Sequence, residues 1–579
     1  MPEQNANILA EPICEAITVV VSTRVGGDPG RVVRRRLATA LRLTLGRPVT
    51  GWHVRRVRGS DQPEYDITPP DGEHLPVADA WDLTYMLAEQ PDIVYAEPSF
   101  RVLQDAEAVP AETLPAAPAA QPAALPGFDS CADDTPPASV DPNQLDWAPR
   151  LVDLPCAWEL EPPPPAPGFA RGQRRGKGIR VGHPDSGYRR HPDLFEEPAG
   201  QPVRVLTALE RDFVDKDSKA ENPDGGHGLN TGGVLMSSDV TGFVVGAAPE
   251  AEIVPLRVTK PRFGLPAPVL FDSGARALRD AIRYAVNEAD CHVISISLGW
   301  FGNWSLHQAI REAVDKNVIV IAASGNYVKL VVWPAAYPEV IAVAGCDAQR
   351  KPWWGACTGP QVAVTGPAAR VWVSGFTAAG LPGAGQSDGT SFATAMLAGI
   401  AALWLAHHGR DYLLHRYAGH ATLSAVFRHV VQTTCDDFAG DRPSGYGAGI
   451  YNARRILATP LPSVADLAFA GLAAPAAPRP VTPVDTIAAA FPTVPEDVLR
   501  RRLAALLQVE EAELDARLAG VEQELLFQIA TNPALREQLG APVVDVAAGG
   551  MIPAAAPAPE AQATLSAAPL SDTLRSRIK

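Results

Sequence analysis

Four residues have types and settings that together could support nucleophilic attack on a carbonyl: Asp185, His227, Asn326 and Ser391. Ser391 stands in "SDGTSFATAMLAG", where Gly389 permits close approach and the following apolar stretch reads as a helix. A serine at that junction gains from the positive end of the helix dipole, and its own N–H, unpaired at a helix start, can face an oxyanion. His227 lies between glycines in "PDGGHGLNTGG", and Asp185 closes the apolar run "IRVGHPD". Asn326 follows "IVIAASG", where a side-chain amide can donate to a developing negative oxygen. Each has an ordinary alternative when taken singly: an Asx turn for the aspartate, a loop histidine, a turn asparagine, a helix-capping serine. Taken together they satisfy one requirement. An alkoxide nucleophile needs a base, the base needs an orienting carboxylate, and the tetrahedral oxyanion needs donors.

The surrounding elements must hold these groups at strand ends and helix starts. "GIRVGHPDSG", "AEIVPLRV", "CHVISISLG", "NVIVIAASGN" and "VIAVAGC" are near-continuous apolar runs of the kind found in parallel strands buried on both faces. Helical stretches such as "GARALRDAIRYAVNEA" and "SLHQAIREAVDKN" alternate with them. Residues 144–465 are therefore expected to form an α/β domain, a mostly parallel sheet with helices on both faces, whose chemistry gathers at the carboxyl ends of the strands. Residues Ser297, Leu298 and Gly299 end one such strand and could pair with an extended peptide; Ser324 and Gly325 end the next.

Residues 1–105 read as a small α+β domain of βαββαβ type, from "AITVVVS", two amphipathic helices, "GWHVRRV" and "IVYAEPSF". Residues 106–143 and 466–483 read as linkers rich in Pro and Ala, residues 484–545 as a helical domain with Leu499, Leu503, Leu506 and Leu514 at helical intervals, and 546–579 as a disordered tail.

Composition narrows the function classes. Of 579 residues, 46% are hydrophobic and 20% charged, which reads as globular, and the net charge of −15 argues against a nucleic-acid partner. No apolar run is read as a membrane span and no signal peptide is read at the start. Seven scattered cysteines without metal-ligand spacing suggest buried thiols in a reducing, cytoplasmic setting, with a single disulfide left open. No cofactor and no metal is called for.

The motifs "GIRVGHPDSG…HPDL", "GHG", "GAAPEAEIVPLRV", "VISISLG", "AASGN", "WPAAYPEVIAVAG" and "GTSFATAMLAG", in that order between about Trp147 and Leu457, resemble the subtilisin-like serine proteases. The resemblance implies the subtilisin-like fold and the Asp…His…Ser chain order of that family. It implies that Asp185 orients His227, that His227 is general base and then acid, that Ser391 attacks, and that Asn326 donates to the oxyanion. It also implies that Ser297, Leu298, Gly299, Ser324 and Gly325 line the substrate cleft.

The chain departs from the family pattern beside this set, with Leu229 and Asn230 where threonine and histidine usually follow "HG", and with Thr394, Ala395 and Met396 where Ser-Pro-His is usual. Asp193 in "HPDL" matches a position that can ligate calcium in the family. The amino-terminal domain resembles the family's inhibitory propeptide, with "PDIVYAEPSFRV" as its closing strand and extension, which implies a self-inhibited zymogen. A fused ferredoxin-like domain without that role is the alternative. Partners are then a protein or peptide substrate, the chain's own amino-terminal domain as inhibitor, and a protein partner at the helical domain. Two rival readings remain: a peptide-binding scaffold that keeps the fold, and a serine-carboxyl peptidase, against which "GHG" argues.

Overall fold

A computed structural model of the chain describes residues 12–24, 26–102, 131, 137, 139–196, 203–215, 217–223, 226–259, 275–299, 302–327, 331–377, 379–469, 482–488, 491, 494–532, 535, 539 and 559–578. The chain divides into two compact units, Met1–Asp105 together with Ala476–Lys579, and Ala106–Pro475. The first unit thus joins the two ends of the sequence, which the sequence reading had kept as separate pieces.

The amino-terminal part runs β1 (Pro12–Val21), α1 (Pro29–Thr44), β2 (His53–Arg56), β3 (Glu64–Thr68), α2 (Val77–Ala88) and β4 (Ile93–Val102). Its sheet has the order β2-β3-β1-β4 and is antiparallel throughout. Helix α1 starts where Asp28 accepts from the Gly30 N–H at 2.9 Å and Pro29 fixes the first turn. Val33, Leu37, Ala40 and Leu41 then recur on one buried face, against Ile17, Val19 and Ile67 of the sheet. Strand β3, "EYDIT", is too polar to announce itself. It forms because β1 and β2 both pair with it.

The large unit holds β5 (Arg180–Asp185), β6 (Arg211–Asp212), β7 (Glu252–Arg257), β8 (Val293–Ile296), β9 (Ile319–Ala323), β10 (Ile341–Cys346) and β11 (Val362–Pro367). They form a parallel sheet of order β11-β10-β9-β8-β5-β7-β6, the α/β arrangement expected of the continuous apolar runs. Val293, Ile319 and Ile341 join one core cluster, while their neighbours Ile294, Val320 and Ala342 join another. Successive side chains point to opposite faces, so both faces are buried and most strand positions are apolar, with His183, Ser295 and Thr365 among the buried polar exceptions. Helices α3 (Gly226–Met236) and α6 (Thr390–His408) supply the first cluster; α4 (Ala275–Asn287) and α5 (Trp304–Asp315) supply the second. A hairpin of β12 (Val371–Phe376) and β13 (Pro382–Ser387) leads into α6.

Strand β5 pairs with β7 on one side and β8 on the other, so the chain reverses its direction across the sheet at β5. At such a switch point a crevice opens beyond the carboxyl ends of the strands. Asp185 is the last residue of β5.

Two expectations are corrected. Helix α6 is 19 residues long and apolar enough to cross a membrane, contrary to the reading that no such run exists; its whole apolar window is buried inside the protein. A helix apolar on every side is what the centre of a large core requires. Cys131 and Cys156 form a disulfide, a pairing the sequence left open, while the sulfurs of Cys14, Cys291, Cys346, Cys357 and Cys435 are not disulfide-bonded.

The tail read as disordered carries the helix Pro559–Ala567 and a further helix at Asp572–Arg577. With α7 (Glu496–Leu507), α8 (Glu522–Thr531) and α9 (Asp572–Arg577), the carboxy-terminal part is helical, and Leu499, Leu503, Leu506 and Leu514 are buried. Most of the 106–143 linker and residues 470–481 of the second lie outside the described residues.

Candidate active site

Asp185, His227 and Ser391 come from β5, the first turn of α3 and the first turn of α6, and they meet in one row. His227 Nδ1 lies 2.7 Å from Asp185 Oδ1, and His227 Nε2 lies 3.3 Å from Ser391 Oγ. Asp185 and Ser391 are each 1% exposed, while the His227 side chain keeps 24% of its surface open. The imidazole is therefore the member of the row that solvent and a ligand can reach.

A glycine lets the elements approach this closely. A Cβ at Gly228 would fall 2.0 Å from the Gly187 carbonyl oxygen, so α3 could not dock at the end of β5 with any side chain there.

The electrostatics follow from burial and pairing. Burial alone would push the Asp185 carboxyl up, but the charge and hydrogen bond of His227, the nearby His183 and the Ser186 N–H at 2.7 Å outweigh it and hold the acid below its ordinary range. Burial alone would push His227 down; the Asp185 carboxylate, by charge and by hydrogen bond, outweighs this and raises the imidazole above its ordinary value. An ionised acid beside a more basic imidazole can draw a proton from the serine hydroxyl. That hydroxyl has a second acceptor, the Ser297 carbonyl at 3.1 Å.

Asn326 sits just beyond β9, 5% exposed. Its Oδ1 accepts from the Thr390 N–H at 3.0 Å and the Thr390 hydroxyl at 2.8 Å. With the oxygen engaged at the start of α6, the Nδ2 group is left to donate elsewhere. Of the five residues read as cleft lining, Ser297 is brought to the nucleophile: its hydroxyl donates to the Ser391 carbonyl at 3.0 Å. Leu298 is buried, and Gly299 lies against the Trp333 carbonyl, which a Cβ would approach to 2.4 Å. Ser324 is turned inward, donating from its hydroxyl to the Cys357 carbonyl at 2.7 Å and accepting at its carbonyl from Val332 N–H at 3.0 Å. The Gly325 carbonyl accepts from Cys357 N–H at 2.9 Å.

Three residues of the site were not singled out from the sequence. Thr231 places its hydroxyl 3.2 Å from Asp185 Oδ2, 3.0 Å from the His227 carbonyl and 3.0 Å from His183 Nε2. His183, 5% exposed, is pushed down by burial, which outweighs the attraction of Asp185, so it is a neutral imidazole behind the acid. Thr390 is the third, as the group that holds Asn326. A signal for two of them exists: His183 precedes Asp185 by two in a strand and Thr231 follows His227 by four in a helix, the spacings that share a face.

The residues that depart from the family pattern are absorbed in packing. Leu229 and Ala395 are buried in the main core cluster. The Asn230 amide, with its nitrogen turned toward them, spans the Ser374 and Gly226 carbonyls at 2.9 and 2.8 Å. Both carboxylate oxygens of Asp193 are taken by hydroxyls, Oδ1 by Thr241 at 2.6 Å and Oδ2 by Ser374 at 2.6 Å. Among the described residues no group of three or more His, Cys, Asp or Glu side chains could hold a metal ion.

The profile of the subtilase family matches residues 176–449. Thermitase of Thermoactinomyces vulgaris is 30% identical over 302 residues, which are 51% of this chain and 89% of that protein. The major intracellular serine protease of Bacillus subtilis (strain 168) is 30% identical over 224 residues, 37% of this chain and 61% of that one. Among solved structures, fervidolysin from Fervidobacterium pennivorans, a keratinolytic enzyme related to subtilisin, covers 79% of this chain with 63% of its own length, at 19% identity and a TM-score of 0.51. At that identity the likeness is one of fold.

Proposed function

We propose that this chain, which belongs to the subtilase family of serine endopeptidases, opens peptide bonds with Ser391 as nucleophile, His227 as general base and then acid, Asp185 as the orienting carboxylate and Asn326 as oxyanion donor. The single observation that carries these assignments is the row of 2.7 and 3.3 Å contacts from carboxylate to imidazole to hydroxyl. Ser391 Oγ bonds to the carbonyl carbon as its proton passes to His227 Nε2. The tetrahedral oxygen takes up negative charge between Asn326 Nδ2 and the Ser391 N–H. The C–N bond then breaks and the amine leaves with the proton from Nε2. Water repeats the sequence on the acyl-enzyme, releasing the acid and restoring the hydroxyl. Asp185 stays ionised throughout.

A fluorophosphonate probe followed by peptide mapping tests the nucleophile. Label on Ser391, lost in Ser391→Ala together with peptide hydrolysis by on the order of 10⁴-fold or more, is the expected result. Label elsewhere, or none with activity intact, overturns the assignment.

The amino-terminal domain is proposed as an intramolecular inhibitor, making the chain a zymogen. The βαββαβ order of this domain and the ten-residue strand β4 that closes it support the reading. A covalently tethered inhibitor acts at an effective concentration in the millimolar range, which a weak contact is enough to exploit. Mass spectrometry of the purified protein beside Ser391→Ala tests it. A wild-type chain cut after the domain, beside an intact variant, is expected; two intact chains with full activity overturn it.

A further inference from the structure

Helix α2 and strand β4 carry an aromatic patch that the catalytic reading does not use. Trp81 stacks on Tyr85 at 5.8 Å and lies tilted against Phe100 at 5.7 Å between ring centroids. What covers the patch comes from the opposite end of the sequence: Phe527 of α8 lies 4.5 Å from Phe100 and 6.3 Å from Trp81. Trp81 is left 5% exposed and Phe527 4%.

Polar contacts surround this apolar centre. The Tyr85 hydroxyl donates to Glu524 Oε2 at 3.0 Å. The same carboxylate accepts from the Ser571 N–H at 2.7 Å and the Ser571 hydroxyl at 2.6 Å, while Ser571 accepts from the Leu574 N–H at 2.9 Å. Asp82, one turn from Tyr85 on α2, accepts from the N–H groups of Asp572 and Thr573 at 2.9 and 3.1 Å and from the Thr573 hydroxyl at 2.8 Å. A desolvated aromatic centre with a hydrogen-bonded margin is the anatomy of a specific interface, and Trp and Tyr anchors are the groups that carry such interfaces.

We propose that the helices after residue 482 are a holder for the amino-terminal domain, keeping residues 12–102 on the molecule after the chain between them and Cys131 has been cut. The tether of residues 106–130 would then be dispensable for retention, because the second attachment is non-covalent and lies at the far end of the polypeptide. The disulfide at Cys131 cannot do this for a cut on its amino-terminal side. Retention itself does not need the inhibitory reading; the regulatory consequence, an inhibitor that survives cleavage of its tether, rests on it.

The test uses the full chain with Ser391→Ala and a recognition sequence for a site-specific protease placed between residues 110 and 120. After complete cleavage, size-exclusion chromatography with light scattering reads whether the fragment stays. Retention by the parent chain, and loss at least 10-fold faster in Phe527→Ala with Tyr85→Phe, is expected. Asp82→Asn with Thr573→Val removes polar contacts alone and leaves the aromatic core intact; it too is expected to shorten retention, by several-fold. A fragment that separates from the parent chain, or variants that hold it as long as the parent does, overturns the proposal. In the second case the catalytic unit is the holder and the inhibitory reading stands alone. Peptide hydrolysis by the same cleavage-site chain with Ser391 restored, before and after the cut, judges inhibition separately from retention.

Discussion

Thr231 and His183 form a layer behind the acid that a simple carboxylate–imidazole–hydroxyl scheme does not include. The Thr231 hydroxyl has one proton and several acceptors within reach, Asp185 Oδ2 among them. If neutral His183 donates from Nε2 to Thr231, that proton is free for Asp185, and the carboxylate keeps its second oxygen engaged. Thr231→Val should lower kcat about 10-fold, the loss of a hydrogen bond to a charged group, with little change in KM. In a double-mutant cycle with His183→Val the two losses should fall short of additive by ~0.5–3 kcal/mol. Additive losses would dissolve the layer into separate effects. Replacing Asn326 by Ala should cost kcat roughly 10²–10³-fold, the range for removal of one oxyanion donor, subtilisin's own amide being among the cases it rests on.

The pH profile belongs to the same scale. His227 must be neutral to accept a proton, and Asp185 raises it, so kcat/KM should climb with pH through an inflection above the ordinary ~6.5 of histidine. Asp185→Asn removes the charge that raises it, and the inflection should move down. An inflection that stays in place would separate the profile from His227.

At the scale of elements, the site depends on α3 and α6 docking against the ends of β5 and β9. Gly228→Ala places a methyl 2.0 Å from the Gly187 carbonyl oxygen, a backbone atom that cannot swing aside. It should destabilise the large unit by more than the ~1–3 kcal/mol of ordinary overpacking, read as a fall in melting temperature with activity lost at lower temperatures. An unchanged melting temperature would mean that α3 docks elsewhere. The sequence made these elements legible because a strand buried on both faces is mostly apolar, and the runs ending in Asp185 and Ser324 show it. Asp185 and Asn326 were legible from the ends of those runs, His227 and Ser391 from the glycines beside them and the helical stretches that follow. Thr390's hold on Asn326 was not, since it depends on two elements separated by 64 positions meeting at one amide. Strand β3 was missed because its hydrogen-bonding neighbours, rather than its own side chains, make it a strand.

At the scale of the whole molecule, the Cys131–Cys156 bridge closes a loop of 25 positions. By loop-closure entropy it should stabilise the large unit by ~3–4 kcal/mol, and melting in a strong reductant should reveal the loss. The contact between the two ends of the chain carries its own pH dependence. Glu524, fully buried, is raised by burial from its ordinary 4.5 to about 7 against the opposing bonds from Ser571 and Tyr85, with Asp82 adding repulsion. The assembled state therefore favours the protonated acid. The acid's contribution is fully present below pH 4.5 and is lost as pH rises through 7, a change of no more than ~3 kcal/mol. Fragment retention measured at pH 5 and pH 8 should be longer at pH 5. Glu524→Gln should flatten the difference.

Ribosomes emit a protein in one direction, and here that direction matters. Trp81 and Phe100 emerge early, yet the ring that shields them, Phe527, is made more than four hundred residues later, after the entire hydrolytic apparatus. Throughout that interval an oily face on the earlier domain has no mate, so chaperones meeting the nascent polypeptide would find it there, and a message truncated before the codons for residues 482–579 would yield a domain that never acquires its cover.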